Sequence, residues 1–289
     1  MIISIIAIAQ VSSTKVKVEF ITPKIVRVQW SADGSLPGNN TGVCVYERQK
    51  VKSEEIIVKN EGGCISFIDR KTGKTLLRDV ARESQPVVQE RIVYDDATAR
   101  MEETANGKVT VKDIIRLDTI GESTRYISHF SCPDTKALYG LGAHMEDYMN
   151  LVGKTMWLTQ HNLKVMIPVL MSPQGYGLLF DAGCAMKYSS DGKGFTMQME
   201  AAKQIDYYFI KGDSIEDFVD VYRYLTRRVQ LLPLYAFGYI QSKERYVSSD
   251  DLINTLREYR RRHVPVDMIV QDWNYWPEGW GYMKMNRKY

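Results

Sequence analysis

From Lys15 onward the chain alternates with period two: Val16, Val18 and Phe20 point one way while Lys15, Lys17 and Glu19 point the other, the signature of a half-buried strand. After a break at Pro23 the alternation returns, with Val26, Val28 and Trp30 set against Arg27 and Gln29, which predicts antiparallel strands with one wet face. Turn signals then recur. Residues 34–42 hold Pro37, Asn39 and Asn40, Lys71-Thr72-Gly73-Lys74 follows the strand-like residues 65–68, and Asn106-Gly107 precedes an apolar run over 109–115. Short strands at close spacing, with no helical period in residues 15–130, predict an antiparallel β-sandwich.

The period changes after Gly212. Ile215, Phe218, Val219, Tyr222 and Leu225 share one helical face, and Ser214 with Asp217 forms a capping-box-like start, so a helix is predicted over 214–229. Leu231-Leu232-Pro233 stops it and leads into residues 236–240, a run suited to a buried strand. Ser248 to Asp251 then caps a second helix whose face is Leu252, Ile253, Leu256 and Tyr259. Val264-Pro265 ends that helix before a strand over 266–271. Strand, helix, strand is a βαβ unit, and two parallel strands alone leave both faces and both edges uncovered. The expectation is a mixed architecture: a sandwich over 10–232 closed by the helix, and over 233–289 the start of a parallel domain that breaks off.

Composition narrows the function classes. The chain has 289 residues, 44% hydrophobic and 25% charged, with no apolar run long enough to cross a bilayer. Its 38 basic and 35 acidic residues are interspersed and leave +3, too little field for a polyanion, so nucleic acid is not expected as a partner. The one basic cluster, residues 260–263, falls at a helix end and is read as complementing the helix dipole. Cys44, Cys64, Cys132 and Cys184 make no CxxC pair, and His129, His144, His161 and His263 lack metal-ligand spacing, so neither a metal nor another cofactor is expected. Residues 2–9 form a short apolar stretch ending Ala7-Ile8-Ala9 before Gln10. This fits an export leader over 1–9, although no Lys or Arg precedes it and a first strand would read the same way. Nothing in the pattern specifies an oligomeric state.

The chemistry is carried by a few segments. Phe237-Gly238-Tyr239-Ile240-Gln241-Ser242-Lys243-Glu244-Arg245-Tyr246, then Glu258-Tyr259-Arg260-Arg261-Arg262, then Asp267-Met268-Ile269-Val270-Gln271-Asp272-Trp273 resemble the opening of the catalytic barrel of glycoside hydrolase family 31. Upstream, Tyr139-Gly140-Leu141-Gly142, Ile167-Pro168 and the run from Gly175 to Asp181 resemble that family's N-terminal β-sandwich, of the galactose-mutarotase-like kind. The resemblance is concentrated in residues 138–286. It implies a (β/α)8 barrel beginning near residue 233 and truncated at its second strand. The implied activity is retaining, exo-acting hydrolysis of α-glucosides, α-xylosides or α-galactosides in oligosaccharides.

Residue chemistry points to the same place. Barrel ligands sit at the C-terminal ends of strands, where Asp272, Trp273 and Asn274 follow the second predicted strand. A carboxylate accepts hydrogen bonds from neighbouring sugar hydroxyls, and an indole stacks on a pyranose face. The resemblance gives Asp272 the hydroxyls of the non-reducing sugar, while Trp273 is equally readable as core. Asp267, at the start of that strand, belongs to the opposite pole. The loop over 157–162 sits where the family extends into the first subsite, often with an aspartate. Here Gln160, His161 and Asn162 stand instead, and His161 and Asn162 are the candidate contacts. Trp276, Trp280 and Tyr282 read equally as a sugar platform and as surface awaiting cover.

A retaining mechanism needs two carboxylates about 5 Å apart. The resemblance puts them after the fourth and sixth barrel strands, so no catalytic residue is assigned within 1–289, and the loop acids Glu146 and Asp147 do not substitute. The alternative is a non-catalytic carbohydrate-binding sandwich. If residues 1–9 are an export leader, mass spectrometry of protein purified from its native host should find an N-terminus at or near Gln10. An intact Met1 in a cytoplasmic fraction would exclude the leader.

Overall fold

The structure is a computed structural model that describes residues 16–37, 41–47, 50–51, 53–104, 107–272, 275–276 and 284–289. The proposed leader, Asn39, Asn40 and Asn106 lie outside the described residues. The chain divides into two compact units, Met1–Arg227 and Arg228–Tyr289.

Two antiparallel sheets build the first unit. In the six-stranded sheet the order is Lys17–Thr22, Ile25–Trp30, Ile205–Lys211, Tyr176–Phe180, Val169–Ser172 and Tyr139–Gly140. In the seven-stranded sheet it is Thr155–Leu158, Met186–Ser190, Gly194–Met199, Ile114–Ser131, Thr75–Tyr94, Cys64–Asp69 and Ile56–Glu61. Val26, Val28 and Trp30 share one buried cluster with Phe67, Phe130, Tyr188 and Met197 from the other sheet, so the sandwich expected from alternation is present. Aromatic rings fill its middle. Phe67 stacks on Phe209 with centroids 4.1 Å apart, and Phe130 on Phe195 at 4.7 Å, the latter within the centroid range in which ring pairs add to simple burial.

The second face of strand Ile25–Trp30 departs from the expectation of a wet surface. Ile25 is fully buried and joins Ile21, Leu179, Tyr208, Ile210, Phe218 and Leu225 in a second cluster under the helix Ile215–Thr226. Arg27 and Gln29 lie on that covered face. They are tolerated because Asp206, directly opposite Gln29 on the neighbouring strand, collects them. Arg27 Nε and Nη2 donate to its two oxygens at 2.9 and 2.6 Å, and Gln29 and Gln204 donate at 3.1 and 2.9 Å. Burial pushes the Asp206 carboxyl upward, against the pull of Arg27. Alternation alone does not separate a wet polar face from a covered one whose polar groups are paired.

The closing helix begins as predicted, with Ser214 Oγ accepting from Asp217 N at 3.2 Å. It ends at Thr226, three residues short of the predicted 229, where Arg227 turns left-handed at φ 70°. Phe218 seats it against the sheet over Gly177, where a Cβ would lie 2.2 Å from the Phe218 ring.

Residues 75–131 depart further from the short strands predicted. Thr75–Tyr94 is 20 residues long and Ile114–Ser131 is 18, and they pair along nearly their whole length as one extended hairpin. The run 109–115, read as one strand, is broken between Gly107–Val111 and Ile114–Ser131. There Asp113 leaves the ladder to accept Asp95 N on its carbonyl, at 2.8 Å, and Arg100 Nη1 on its carboxylate, at 2.7 Å.

The second unit is a βαβ unit with parallel strands Ile240–Lys243 and Met268–Gln271 around the helix Ser249–Arg261. Residues 236–240 are not a buried strand. Leu234–Phe237 is a single 3-10 turn started by Pro233, Phe237 is 68% exposed, and the strand starts only at Ile240. The helix cap is the predicted Ser248, which accepts from Asp251 N at 3.2 Å. At its other end Arg261 and Arg262 pair with Glu258, and Arg260 donates to the Val266 carbonyl at 2.7 Å, so the basic cluster closes the helix. Among the described residues of this unit only Tyr246 and Val266 are buried.

Removing a carboxylate that holds a nearly buried arginine strands the charge. Asp206→Ala should therefore cost about 3–5 kcal/mol and Asp206→Asn distinctly less, read as a lower midpoint in urea unfolding at unchanged slope. A loss below about 1 kcal/mol for Asp206→Ala would mean that the network does not hold the sheet.

Candidate sugar-binding site

In the second unit the register Lys243↔Gln271 sets the C-terminal ends of the two strands side by side, and Asp272 follows at once as an exposed residue. Trp273 and Asn274 lie outside the described residues, as do Trp280 and Tyr282. Tyr275 and Trp276 are half-buried with ring centroids 5.4 Å apart. Beneath this end Gln271 Oε1 accepts from Tyr246 N at 3.3 Å. Gln271 Nε2 and the Tyr246 hydroxyl are buried without a hydrogen-bond partner among the described residues. Buried polar atoms of this kind usually find a partner, in protein, water or ligand. The sequence signal for this buried amide is a Gln inside a strand otherwise apolar, Met268–Gln271.

The opposite pole is fastened by Asp267, whose carboxylate accepts from Tyr239 N at 3.0 Å. Gly238 is required there, because a Cβ would fall 2.1 Å from the Asp267 carboxylate. Asp267 thus staples the strand starts, the structural role expected at that end of a barrel.

The first unit holds the other candidates. Gly140 and Gly142 have φ of 110° and 99°, and a Cβ at either would meet the carbonyl oxygen of Val169 or Val165 at 2.3 or 2.0 Å. Only glycine allows this approach, and it lets Ala143 pair with Val165 and brings residues 160–167 alongside. Gln160 is structural here: its amide donates to Lys164 O at 2.5 Å and its oxygen accepts from Met166 N at 3.1 Å. His161 is exposed, with Nδ1 2.8 Å from the Asn162 carbonyl, and Asn162 sits in the turn. His161 and Asn162 therefore share one exposed turn of the first unit, while Asp272 belongs to the second.

A group that the sequence did not reveal supports this turn. Lys164 Nζ donates to Glu146 at 2.5 Å, and Glu146 lies 2.8 Å from Nδ1 of the largely buried His144. The Lys164 hydrogen bond holds the Glu146 carboxyl below the usual glutamate range. The pair joins two loops 18 residues apart, a contact that local pattern does not carry.

Residues 229–289 match the family model described as the glycosyl hydrolases family 31 TIM-barrel domain. The chain is 30% identical over 289 aligned residues to an alpha-xylosidase of Saccharolobus solfataricus, an alignment covering 96% of this chain and 37% of that protein. These matches support a glycoside hydrolase family 31 fragment. A 27% match to alpha-xylosidase A of Aspergillus niger covers 51% of this chain and 20% of the relative. Among solved structures, the family 31 α-xylosidase of Xanthomonas citri superposes with a TM-score of 0.71 at 20% identity, covering 96% of this chain and 46% of that one. A family 31 dextranase of Flavobacterium johnsoniae gives 0.62 at 18%, covering 94% and 35%. These two likenesses show the fold. The chain spans about a third of the Saccharolobus relative and less than half of the Xanthomonas enzyme.

Because the folded Glu146 carboxyl titrates below its unfolded value, the Lys164 contact contributes fully above the ordinary glutamate range, about pH 4.3, and is lost as pH falls through the lower folded value. At pH 7 Glu146→Gln should give residues 160–166 the faster amide exchange, corrected for intrinsic rates, that the unaltered protein shows only in acid. Equal exchange in both proteins at pH 7 would mean that the turn does not depend on the pair.

Proposed function

We propose that residues 1–289 are the front part of a retaining, exo-acting α-glycosidase of the α-xylosidase or α-glucosidase type, acting on the non-reducing ends of oligosaccharides. The observation that carries the reading is Asp272, exposed directly after a parallel strand inside the segment that matches the family 31 barrel domain. Residues 10–232 serve as the sandwich domain and 233–289 as the first βαβ of the barrel. An exported location follows only if residues 1–9 act as a leader.

In this reading Asp272 accepts hydrogen bonds from two neighbouring hydroxyls of the terminal sugar, a contact that fixes which hydroxyls the subsite takes. Trp273, Asn274, His161 and Asn162 are the further candidate sugar contacts. Within the loop of the first unit Gln160 is committed to backbone partners, so the candidates there are His161 and Asn162. The nucleophile and the acid/base are two carboxylates on later barrel strands, facing each other across the scissile bond. The sandwich unit and the βαβ unit bind and orient, and the remaining barrel performs the bond cleavage. The few buried residues of the second unit support the division, since a parallel sheet requires cover on both faces.

The purified 289-residue chain should then hydrolyse no aryl α-xyloside or α-glucoside above a blank, because the covalent route and leaving-group protonation are lost together. In a protein carrying the complete barrel, Asp272→Ala should lower kcat/KM by at least about 100-fold, the scale of removing a charged hydrogen-bond partner in the transition state. Turnover by the 289-residue chain that Asp272→Ala abolishes would overturn the division of labour. A change within about threefold in the complete enzyme would remove Asp272 from the subsite.

A further inference from the structure

Beyond the pairs that tie it into the seven-stranded sheet, the long hairpin leaves the sandwich. From Val87↔Ser123 to Tyr94↔Ile114 its two strands pair only with each other, and Arg100–Thr104 with Gly107–Val111 extend it as a separate two-stranded sheet. A two-stranded ribbon is at best marginally stable in water without a surface to pack on.

The ribbon is two-faced. Val88, Ile92 and Tyr94 alternate onto one side of the first strand, with Leu117 opposite Ile92 and Ile114 opposite Tyr94. Ile120 is the extra residue of a bulge beside them. These six side chains are between 43% and 61% exposed. The reverse face carries the half-buried Val87 and Val93 among polar groups that are already paired. Gln89 donates to Ser123 at 2.7 Å, Arg116 to Asp118 at 2.7 Å, and Arg91 reaches Asp118 at 3.5 Å. Alternation that sets the larger and more exposed apolar groups on one side, and pairs the polar groups of the other, is what a strand does when one face is to be covered.

Charge indicates what covers it. Residues 85–123 carry five basic and eight acidic side chains, a net −3, which leaves +6 on the rest of a chain whose total is +3. Glu90 and Glu122 lie exposed on the same face as the apolar row, Glu90 between Val88 and Ile92 and Glu122 directly opposite Val88. An acidic arm on a basic body is complementary to a second copy of itself. We propose that this ribbon is a dimerisation arm, its apolar face packing on the body of a second copy of this chain, with the two arms exchanged about a twofold axis. One face of a ribbon some 45 Å long and 11 Å wide is about 500 Å². Reciprocal exchange makes each protomer give one arm face and one receiving surface, which reaches the roughly 800 Å² per partner of a standard interface.

The test is sedimentation velocity of the 289-residue chain over a range of concentrations at low and high salt. The expected species has twice the 33.2 kDa mass of one chain and dissociates more readily in high salt. Ile92→Asp with Leu117→Asp should weaken the dimer at least about 100-fold with an unchanged far-ultraviolet spectrum. If that pair disturbs the fold, Glu90→Lys with Glu122→Lys, both at exposed positions, should weaken it and remove most of its salt dependence. Because the second unit also exposes apolar side chains, amine cross-linking of mixed isotopically light and heavy protein locates the contact. Lys108 and Lys112 should link to lysines of the opposite isotope outside the arm. A monomer at every concentration, a dimer indifferent to both pairs of substitutions, or arm cross-links confined to one isotope would each overturn the proposal, the last two pointing to self-association through the second unit or to cover from within the same chain.

Discussion

Everything in the first unit depends on the six-stranded sheet being covered on both sides, and that is possible because one carboxylate, Asp206, takes up the polar groups the sequence places on the second side. Strand Ile205–Lys211 is buried at every position. Without Asp206 the guanidinium of Arg27, whose side chain is 12% exposed, would face apolar surroundings unpaired. With it, the helix Ile215–Thr226 can lie against the sheet through Phe218, and the chain leaves the sandwich at a fixed point, Arg227. A second buried group repeats the device across the sandwich interior. Asp79, wholly buried, is held by Arg82 at 2.7 Å and by the Tyr207 hydroxyl at 2.6 Å, one residue along from Asp206.

The elements that the sequence made legible are those decided by local rules. Alternation located the inner face of Ile25–Trp30, and Ser214 and Ser248 marked both helix starts, because a cap acts within four residues of chain. The covered outer face was illegible because polar residues that pair across a sheet look like polar residues that face water. The hairpin of residues 75–131 was divided for the same reason. Asn106-Gly107 reads as a turn wherever the strands around it end, and nothing local says how far they run. Residues 236–240 misled in the opposite sense: an apolar run is read as buried, whereas burial belongs to whatever neighbours the fold provides.

The candidate site was legible where the chain itself sets the geometry. Asp272 stands one residue beyond a strand, so locating the strand located the residue. The support for the His161 turn was not legible, since Glu146 and Lys164 meet only because Gly140 and Gly142 bend the backbone through conformations that glycine alone adopts at no cost. Gln160 reads from sequence as a side chain in the place of a sugar ligand. The fold spends it on the backbone of its own loop, where it fixes the shape of the turn that bears His161 and Asn162.

The pairing of Arg27 with Asp206 also has a consequence for how the protein is made. Their strands are neighbours in the sheet and 179 residues apart in the chain. At about 5–20 residues per second, the first strands emerge from the ribosome some ten to forty seconds before the strand that covers them. Through that interval strand Ile25–Trp30 has only Lys17–Thr22 beside it in its own sheet and Ile25 lacks the cover of the closing helix, while the long hairpin, whose strands are close in sequence, can close early. Of the two strands joined by this pair, the one made first is thus enclosed only when the other arrives, and until then its outer face is open to aggregation or to a chaperone.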